Sequence, residues 1–128
     1  MEKKIVSTAA ILGMLAIILG AFGAHALKEK LNLQQLATFE TGVKYQMYHA
    51  IFLLFIGTTQ RIAEKVKATI FYLTLSGVLL FSGSIYLLAT KDLIGFDFSI
   101  IGIVTPIGGL LLISSWFVLL ISFLKKEI

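Results

Sequence analysis

Charge and cysteine are both scarce in this sequence. Charged residues make up 14 % of its 128 positions, whereas soluble domains average about 25 %. So few charges cannot cover a water-facing shell, which indicates that much of the surface faces lipid instead. The absence of cysteine excludes disulfides, thiolate nucleophiles and cysteine metal sites.

Histidine is nearly as rare, since only His25 and His49 are present. A metal site would need carboxylates or carbonyls to complete it, so we predict no metal site and no cofactor. The net charge of +4 is not arranged in basic runs interleaved with aromatic residues, and we expect no nucleic-acid partner. No nucleophile motif, phosphate loop or dinucleotide fingerprint is visible. We therefore predict no catalytic residue, and the sequence favours a non-enzymatic protein.

Four apolar stretches dominate the chain. Each is close to the roughly 20 residues that a helix needs to cross about 30 Å of hydrocarbon. Backbone groups in lipid must be satisfied within their own segment, so helices are expected. The sequence predicts a single all-α domain over 1–128, an integral membrane four-helix bundle with spans at about 5–26, 43–60, 68–90 and 106–124.

The first stretch has a second interpretation, as a signal peptide. Residues 1–4 are basic, and Ala24-His25-Ala26 resembles a cleavage site. Against this, the apolar run is longer than the 7–15 residues of a signal-peptide core. Small residues also align on one helix face, which indicates a packing surface, at Ala9, Gly13, Ala16, Gly20 and Gly23. We expect the first helix to be retained.

Two segments between the spans carry local signals. Asn32 is suited to cap a helix with Gln35 answering it, and that helix is expected to continue into the second span. Residues 93–104 are interpreted as an interfacial or re-entrant loop, with Thr105 as the cap and Pro106 as the first residue of the fourth helix. The alternative is a fourth helix that extends back to Ser99 and kinks at Pro106.

Lysine and arginine are distributed unequally between the two ends of such a bundle. Seven lie at the end that holds the termini, namely Lys3, Lys4, Arg61, Lys65, Lys67, Lys125 and Lys126. Four lie at the other end, namely Lys28, Lys30, Lys44 and Lys91. Positive charge favours the cytoplasmic side, so both termini are predicted to be cytoplasmic.

Small residues also recur at heptad spacing on the third and fourth spans. The third has Thr69, Ser76, Gly83 and Thr90, and the fourth has Gly108, Ser115 and Ser122. Such stripes allow close approach of helix backbones, which is typical of a compact bundle. The alternative is that one stripe serves self-association, and a homo-oligomer would suit so small a chain.

The second span carries the clearest polar face. Gln46 and His49 share it with Gly42 and Leu53, at helical spacing, and Tyr45 and Tyr48 flank it. We select His25, Gln46, His49 and Tyr45 as the candidate polar site. The topology places both histidines at the outer level of the bilayer, with His25 at the outer end of the first span and His49 one or two turns inside the boundary. Asp92 and Asp97 lie on the same side.

Three interpretations of this site stay open. Polar groups at membrane depth are costly and each needs a reason. The first is a clamp, in which Gln46 and His49 bond to neighbouring helices. The second is a functional site in which His25 and His49 relay protons, bind a metal or ligate a haem-like group. The third is a pocket for a lipid headgroup or an unidentified small ligand.

Three motifs resemble a known family. They read Gly-Ala-Phe-Gly-Ala-His-Ala-Leu at 20–27, Phe39-Glu40-Thr41-Gly42 followed by Tyr45-Gln46 and His49-Ala50, and Thr105-Pro106-Ile107-Gly108-Gly109 followed by Trp116. Together they resemble the YgdD/YwdK-type family of small bacterial membrane proteins, domain of unknown function 423. The resemblance implies a multi-pass protein of the bacterial plasma membrane with an uncleaved first helix, and it implies no particular activity.

Three functional hypotheses follow. The leading one is a non-enzymatic bundle with an interaction or support role in the lipid bilayer. The second is a transporter or channel component with an outer polar vestibule around His25, Gln46 and His49. The third is a small redox or metal-binding membrane subunit that uses the two histidines.

Overall fold

The described part of the molecule, residues 1–95 and 100–125 of a computed structural model, is built from helices and contains no strand. The predicted all-α class is therefore confirmed for these residues. Four of the helices are long and one is a single turn. Their bounds are α1 Glu2–Phe22, α2 Leu33–Thr58, α3 Glu64–Ala89, α4 Lys91–Ile94 and α5 Ile101–Lys125, and a π-helical turn, Gly23–Leu27, continues α1.

The small-residue face of α1 packs against α2. Gly13 lies beside Ala50 and Gly20 beside Val43, so the two helices run antiparallel. Ala9 and Ala16 are buried on the same face. Because small side chains let backbones approach closely, this stripe has the packing role that the sequence predicted for it.

The predicted cap of α2 is confirmed. The side chain of Asn32 accepts a hydrogen bond from the backbone N–H of Gln35 at 2.7 Å, and the Gln35 side chain accepts one from the Asn32 backbone N–H at 3.0 Å. These two bonds satisfy N–H groups that a helix start leaves without partners. From this cap α2 runs without interruption to Thr58, so the polar entry and the second apolar stretch form one helix.

Helix α5 packs against α3 through glycine. A Cβ at Gly108 would clash with the backbone nitrogen of Phe81, and one at Gly77 would lie 2.6 Å from the Leu112 side chain. Any larger residue at Gly108 would force the two backbones apart. The order of these contacts makes α3 and α5 antiparallel, as α2 and α3 also are.

The predicted start of the fourth helix is wrong. Helix α5 begins at Ile101 rather than at Pro106, and Pro106 lies inside it. Thr105 is therefore not a cap, and its hydroxyl instead shares a hydrogen bond with that of Ser84. In lipid, helical structure satisfies the backbone of the apolar residues 101–104 better than a loop does, which favours the longer helix. Ser99, the alternative start, lies outside the described residues.

The prediction of close packing is wrong for the stripe on α3. Thr69 and Ser76 are exposed, and nothing lies within 4 Å of a Cβ built on Gly83. The buried face of α3 instead carries larger side chains such as Ile70 and Phe71. The stripe on α5 does pack inward, since Gly108 and Ser115 are buried.

Two hydrophobic cores lie along the bundle. The larger one includes Ile5, Leu12, Leu53, Ile70 and Phe71. The smaller one, near the end that carries α4, joins Leu27, Leu31, Phe39 and Ala89. The polar side chains of α2 described below lie between the two.

Three of the described helices are long and apolar enough to span a membrane by length and composition. They are α1 with its π-helical turn, α3 and α5. Helix α2 is as long as α3, but polar and charged residues such as Glu40 and Lys44 occupy its first half. Because of this polar half, α2 is not apolar enough to be counted with the three helices that could span a membrane.

Candidate functional site

The polar face of α2 turns into the bundle. Gln46 and His49 are each only 4 % exposed, and Gly42 one turn earlier is also buried. Charged and polar groups at membrane depth require partners, and the geometry of these residues shows which partners they have.

Gln46 connects three helices. Its Nε2 donates a hydrogen bond to the carbonyl oxygen of Leu12 in α1 at 2.8 Å. Its Oε1 accepts a hydrogen bond from the Tyr86 hydroxyl in α3 at 2.6 Å. One amide side chain thus uses its donor on one neighbouring helix and its acceptor on the other.

A second contact joins α2 to α3 one turn away. The Ser82 hydroxyl donates a hydrogen bond to the Gly42 carbonyl at 2.7 Å. A Cβ at Gly42 would lie 2.7 Å from the Tyr86 ring, so glycine is what allows the ring to approach. The sequence reasoning missed Ser82 and Tyr86, although their spacing of four places both on one face of α3.

His49 connects α2 to α5. Its Nδ1 donates to the Tyr45 carbonyl at 2.7 Å, and its Nε2 accepts a hydrogen bond from the Trp116 indole N–H at 3.1 Å. Because the indole can only donate, this arrangement requires neutral imidazole with the proton on Nδ1. Both ring nitrogens are engaged, so His49 can take up a proton or a metal only by giving up its bond to Trp116.

Tyr45 lies at the edge of the same face and is 40 % exposed. Its ring packs on Phe81 at 5.1 Å between centroids and lies near Tyr48 at 5.5 Å. Tyr45, His49 and Trp116 line one groove between the helices. The structure therefore brings Tyr45 and His49 together at one groove, whereas Gln46 on the same helix bonds to α1 and α3 instead.

His25 lies apart from them. It is exposed in the π-helical turn at the end of α1. The antiparallel register, with Gly20 beside Val43 and Gly23 beside Phe39, places His25 about 17 Å along the helix axis from the level of His49. The expectation that both histidines share one outer level is wrong, and a direct relay or shared ligand set between them is not formed.

The acidic groups selected from the sequence do not extend the site. Asp92 accepts a hydrogen bond from the Gln35 side chain at 2.8 Å, which fastens α4 to the start of α2. Asp97 lies outside the described residues. Within 1–95 and 100–125, no cluster of three or more histidine and carboxylate side chains is placed to hold a metal ion.

The fold and these contacts define a class: a small helical membrane protein whose intramembrane polar residues join its helices. Residues 19–109 match the family described as a protein of unknown function, DUF423. The chain belongs to this family, which confirms the resemblance noted in its motifs.

Relatives named as membrane proteins cover nearly the whole chain. The UPF0382 membrane protein YwdK of Bacillus subtilis is 37 % identical over 128 residues, covering 96 % of this chain and 98 % of the relative. SH2409 of Staphylococcus haemolyticus is 38 % identical over 123 residues, covering 96 % and 97 %. The inner membrane protein YgdD of Escherichia coli is 35 % identical over 121 residues, covering 93 % and 88 %.

No solved structure matches the chain. The relatives and the apolar helices confirm a multi-pass protein of the bacterial plasma membrane. They assign no molecular activity.

Proposed function

We propose that this protein is a non-enzymatic, four-span membrane bundle with both termini in the cytoplasm and an interaction or support role. The observation that carries the proposal is the bonding of Gln46. Near the middle of the bundle, its amide hydrogen-bonds to Leu12 in α1 and to Tyr86 in α3, and so links both helices to α2. We call this pair of hydrogen bonds the structural clamp. The same clamp would hold α2 across the bilayer despite its polar first half.

The packing of α2 supports a fourth span. Helix α2 lies antiparallel to both α1 and α3, two helices apolar enough to cross the membrane. The buried side chains of Gln46 and His49 hydrogen-bond to those neighbours or to α5. Polar groups that lipid could not satisfy therefore have partners inside the bundle. In this arrangement the chain enters and leaves the membrane at alternating ends.

The distribution of charge supports cytoplasmic termini. The alternating helices place residues 1–4, the loop before α3 and the end of α5 at one end of the bundle. By sequence, seven of the eleven lysine and arginine residues fall in or beside these segments. The positive-inside rule therefore favours the location of this end in the cytoplasm.

Cysteine labelling tests the topology directly, because the chain has no cysteine of its own. Gln34 is the second residue of α2 and Gln60 lies just beyond its last residue, and both are exposed. Gln34→Cys and Gln60→Cys are therefore matched variants that leave the charge distribution unchanged. We expect a membrane-impermeant maleimide to label Gln34→Cys in intact cells and Gln60→Cys only after the membrane is permeabilised.

Two results would contradict this topology. Labelling of both positions from the same side would show that α2 does not cross the membrane. Labelling of Gln60→Cys alone in intact cells would show the inverted orientation. The cysteine-free parent protein is the control for background labelling.

The outward stripe of α3 supports an interaction role through self-association. Thr69 and Ser76 are exposed, and a Cβ on Gly83 would meet nothing within 4 Å, so most of this face is free of other helices among the described residues. The Lys4 side chain of α1 reaches the same face at Tyr72. Small residues on a lipid-facing stripe allow a second helix to approach closely. A second copy of the chain, with the same stripe, is the partner we propose for this surface.

A further inference from the structure

A groove opens on the side of the bundle where α2, α3 and α5 meet. Its volume is about 320 Å³, and the rings of Tyr45, His49, Phe81 and Trp116 form much of its lining. Small-molecule pockets in proteins hold roughly 300–1,000 Å³, so the groove is the size of a small ring compound. Trp116 lies in the middle of α5, a helix apolar enough to span the membrane, so the groove opens at membrane depth.

The aromatic side chains around the groove form a connected set. The Tyr45 and His49 rings are nearly parallel, with an interplanar angle of 21° and centroids 6.5 Å apart. Trp116 meets His49 edge-on at 6.1 Å and packs on Phe52 at 4.1 Å. The hydrogen bond from Trp116 to His49 fixes one side of the groove. Aromatic ring pairs are more favourable than their buried area alone would make them, so a groove lined by rings favours a planar ring guest over a flexible chain.

Gly109 forms part of the lining, and the fold does not require glycine there. A Cβ at Gly109 would meet the Phe81 ring at 3.6 Å, which is ordinary contact. At its neighbour Gly108, by contrast, a Cβ would clash with the backbone of α3. Glycine in a helix costs about 1 kcal/mol relative to alanine. The missing side chain at Gly109 therefore leaves space in the groove that the packing of α5 does not require.

The groove also offers one polar group to a guest. The Tyr45 hydroxyl has no hydrogen-bond partner among the described residues, and its side chain is 40 % exposed. Both nitrogens of His49 are already engaged. A guest would therefore be held mainly by ring contacts and by a single donor to an acceptor such as a carbonyl oxygen.

A neighbouring groove provides a comparison within the same molecule. It measures about 360 Å³ and is lined by Phe55, Leu119, Leu120 and Phe123 together with Trp116. Apart from the indole its lining is purely apolar, which suits the acyl chain of a lipid. Tyr45 and Gly109 line the first groove and are absent from the lining of this one.

We propose that the groove formed by Tyr45, Phe81, Gly109 and Trp116 binds a planar, lipid-soluble ring compound that carries a hydrogen-bond acceptor, the chemistry of a quinone headgroup. The guest enters from the bilayer and stacks on the aromatic wall. Its carbonyl oxygen accepts a hydrogen bond from the Tyr45 hydroxyl. This binding site is independent of the structural role of Gln46, which lies on the buried side of α2.

Trp116 makes the proposal measurable because it is the single tryptophan of the chain. A quinone quenches indole fluorescence at contact distance, so occupancy can be read directly from the purified full-length protein in detergent micelles. The probe is a decyl-substituted benzoquinone, and decanol, which has the tail without the ring, is the matched control. We expect saturable quenching by the quinone that decanol does not displace.

Two leucine substitutions on α5 separate the groove from general partitioning. Gly109→Leu fills the groove and is expected to weaken binding about tenfold or more. Gly102→Leu adds the same side chain on the same helix where nothing lies within 4 Å, and it is expected to bind like the parent. Tyr45→Phe keeps the ring and removes the donor, so it is expected to weaken binding about fivefold.

Several outcomes would overturn the proposal. Quenching that rises linearly and equally in all variants would show partitioning into the micelle alone. Displacement of the quinone by decanol would assign the groove to acyl chains. If Gly109→Leu loses helical content by circular dichroism, Tyr45→Phe decides the test. Unchanged affinity in Tyr45→Phe would then reject the site.

Discussion

Single polar residues within this bundle differ chiefly in whether their side chains have a hydrogen-bond partner on another helix. Gln46 uses its donor and its acceptor on two neighbouring helices. Thr74 is fully buried, yet its hydroxyl has no hydrogen-bond partner in the described part of the chain. A buried polar group with a hydrogen-bond partner stabilises a membrane bundle. A buried polar group without one lowers stability, because its desolvation free energy is not offset by a hydrogen bond. The two residues should therefore respond to substitution in opposite ways.

Replacing Gln46 by leucine should destabilise the protein. The change removes the bonds to Leu12 and Tyr86 while keeping a side chain of similar size. Interhelical hydrogen bonds in membranes average about 0.6 kcal/mol and reach about 1.7 kcal/mol. We expect Gln46→Leu to lower the free energy of unfolding by about 1–2 kcal/mol, measured by titration with a denaturing detergent in mixed micelles.

Thr74→Val is the matched control for that experiment. Valine has nearly the shape of threonine and lacks the unanswered hydroxyl, so the free energy of unfolding should stay the same or rise. Destabilisation by Thr74→Val would show that the hydroxyl does have a partner. An unchanged stability in Gln46→Leu would remove the basis for the structural clamp.

For each hydrogen bond of the candidate site, the sequence predicted the residue on α2 but not its partner on another helix. The spacing of Gln46 and His49 on α2, and their position in an apolar stretch, identified them as buried polar residues. Their partners Tyr86 and Trp116 lie on other helices, 40 and 67 positions away. No local pattern relates such positions, because the helix rotation that joins them is decided by packing.

At the scale of the helices, the stripes on α1 and α3 look alike in the sequence and differ in the fold. Ala9 and Ala16 of α1 are buried against α2, whereas Ser76 and Thr69 of α3 face outward. Helix α3 turns its larger apolar side chains inward because it packs between two helices. The outward stripe is left available for a partner outside the chain.

Blocking that stripe should reduce self-association. Gly83→Leu places a large side chain where two small-residue faces would meet. We expect the parent protein to be a dimer in mild detergent and Gly83→Leu to be a monomer, with the mass measured by light scattering. Gly102→Leu is the control, since a Cβ at Gly102 would also have nothing within 4 Å. A monomeric parent, or a dimer that Gly83→Leu leaves intact, would contradict the proposal.

At the scale of the whole molecule, the proposed orientation rests on a modest difference in charge. Seven basic residues lie at the terminal end against four at the other. Such a bias directs insertion without a large margin. In the proposed four-span topology, this one difference decides on which side of the membrane both termini lie.

Reducing the bias should produce a mixed orientation. Arg61→Ser combined with Lys65→Ser, in the Gln34→Cys background, leaves five basic residues against four. We expect a smaller labelled fraction at Gln34→Cys in intact cells, because part of the population inserts the other way. Lys28→Ser combined with Lys30→Ser strengthens the bias and should leave labelling as in the parent background. Equal labelling of Gln34→Cys with and without the Arg61→Ser and Lys65→Ser substitutions would show that this charge difference does not set the orientation.

Local chemistry in the sequence was enough to establish the helical class, the membrane environment and the cap of α2. Long apolar runs must satisfy their own backbone in lipid, and Asn32 with Gln35 satisfies a helix start. Only the packed bundle reveals that α5 begins before Pro106, that His25 and His49 lie apart, and which stripe stays uncovered. These outcomes depend on how helices rotate and align against one another, and that alignment is set by contacts between residues distant in the chain.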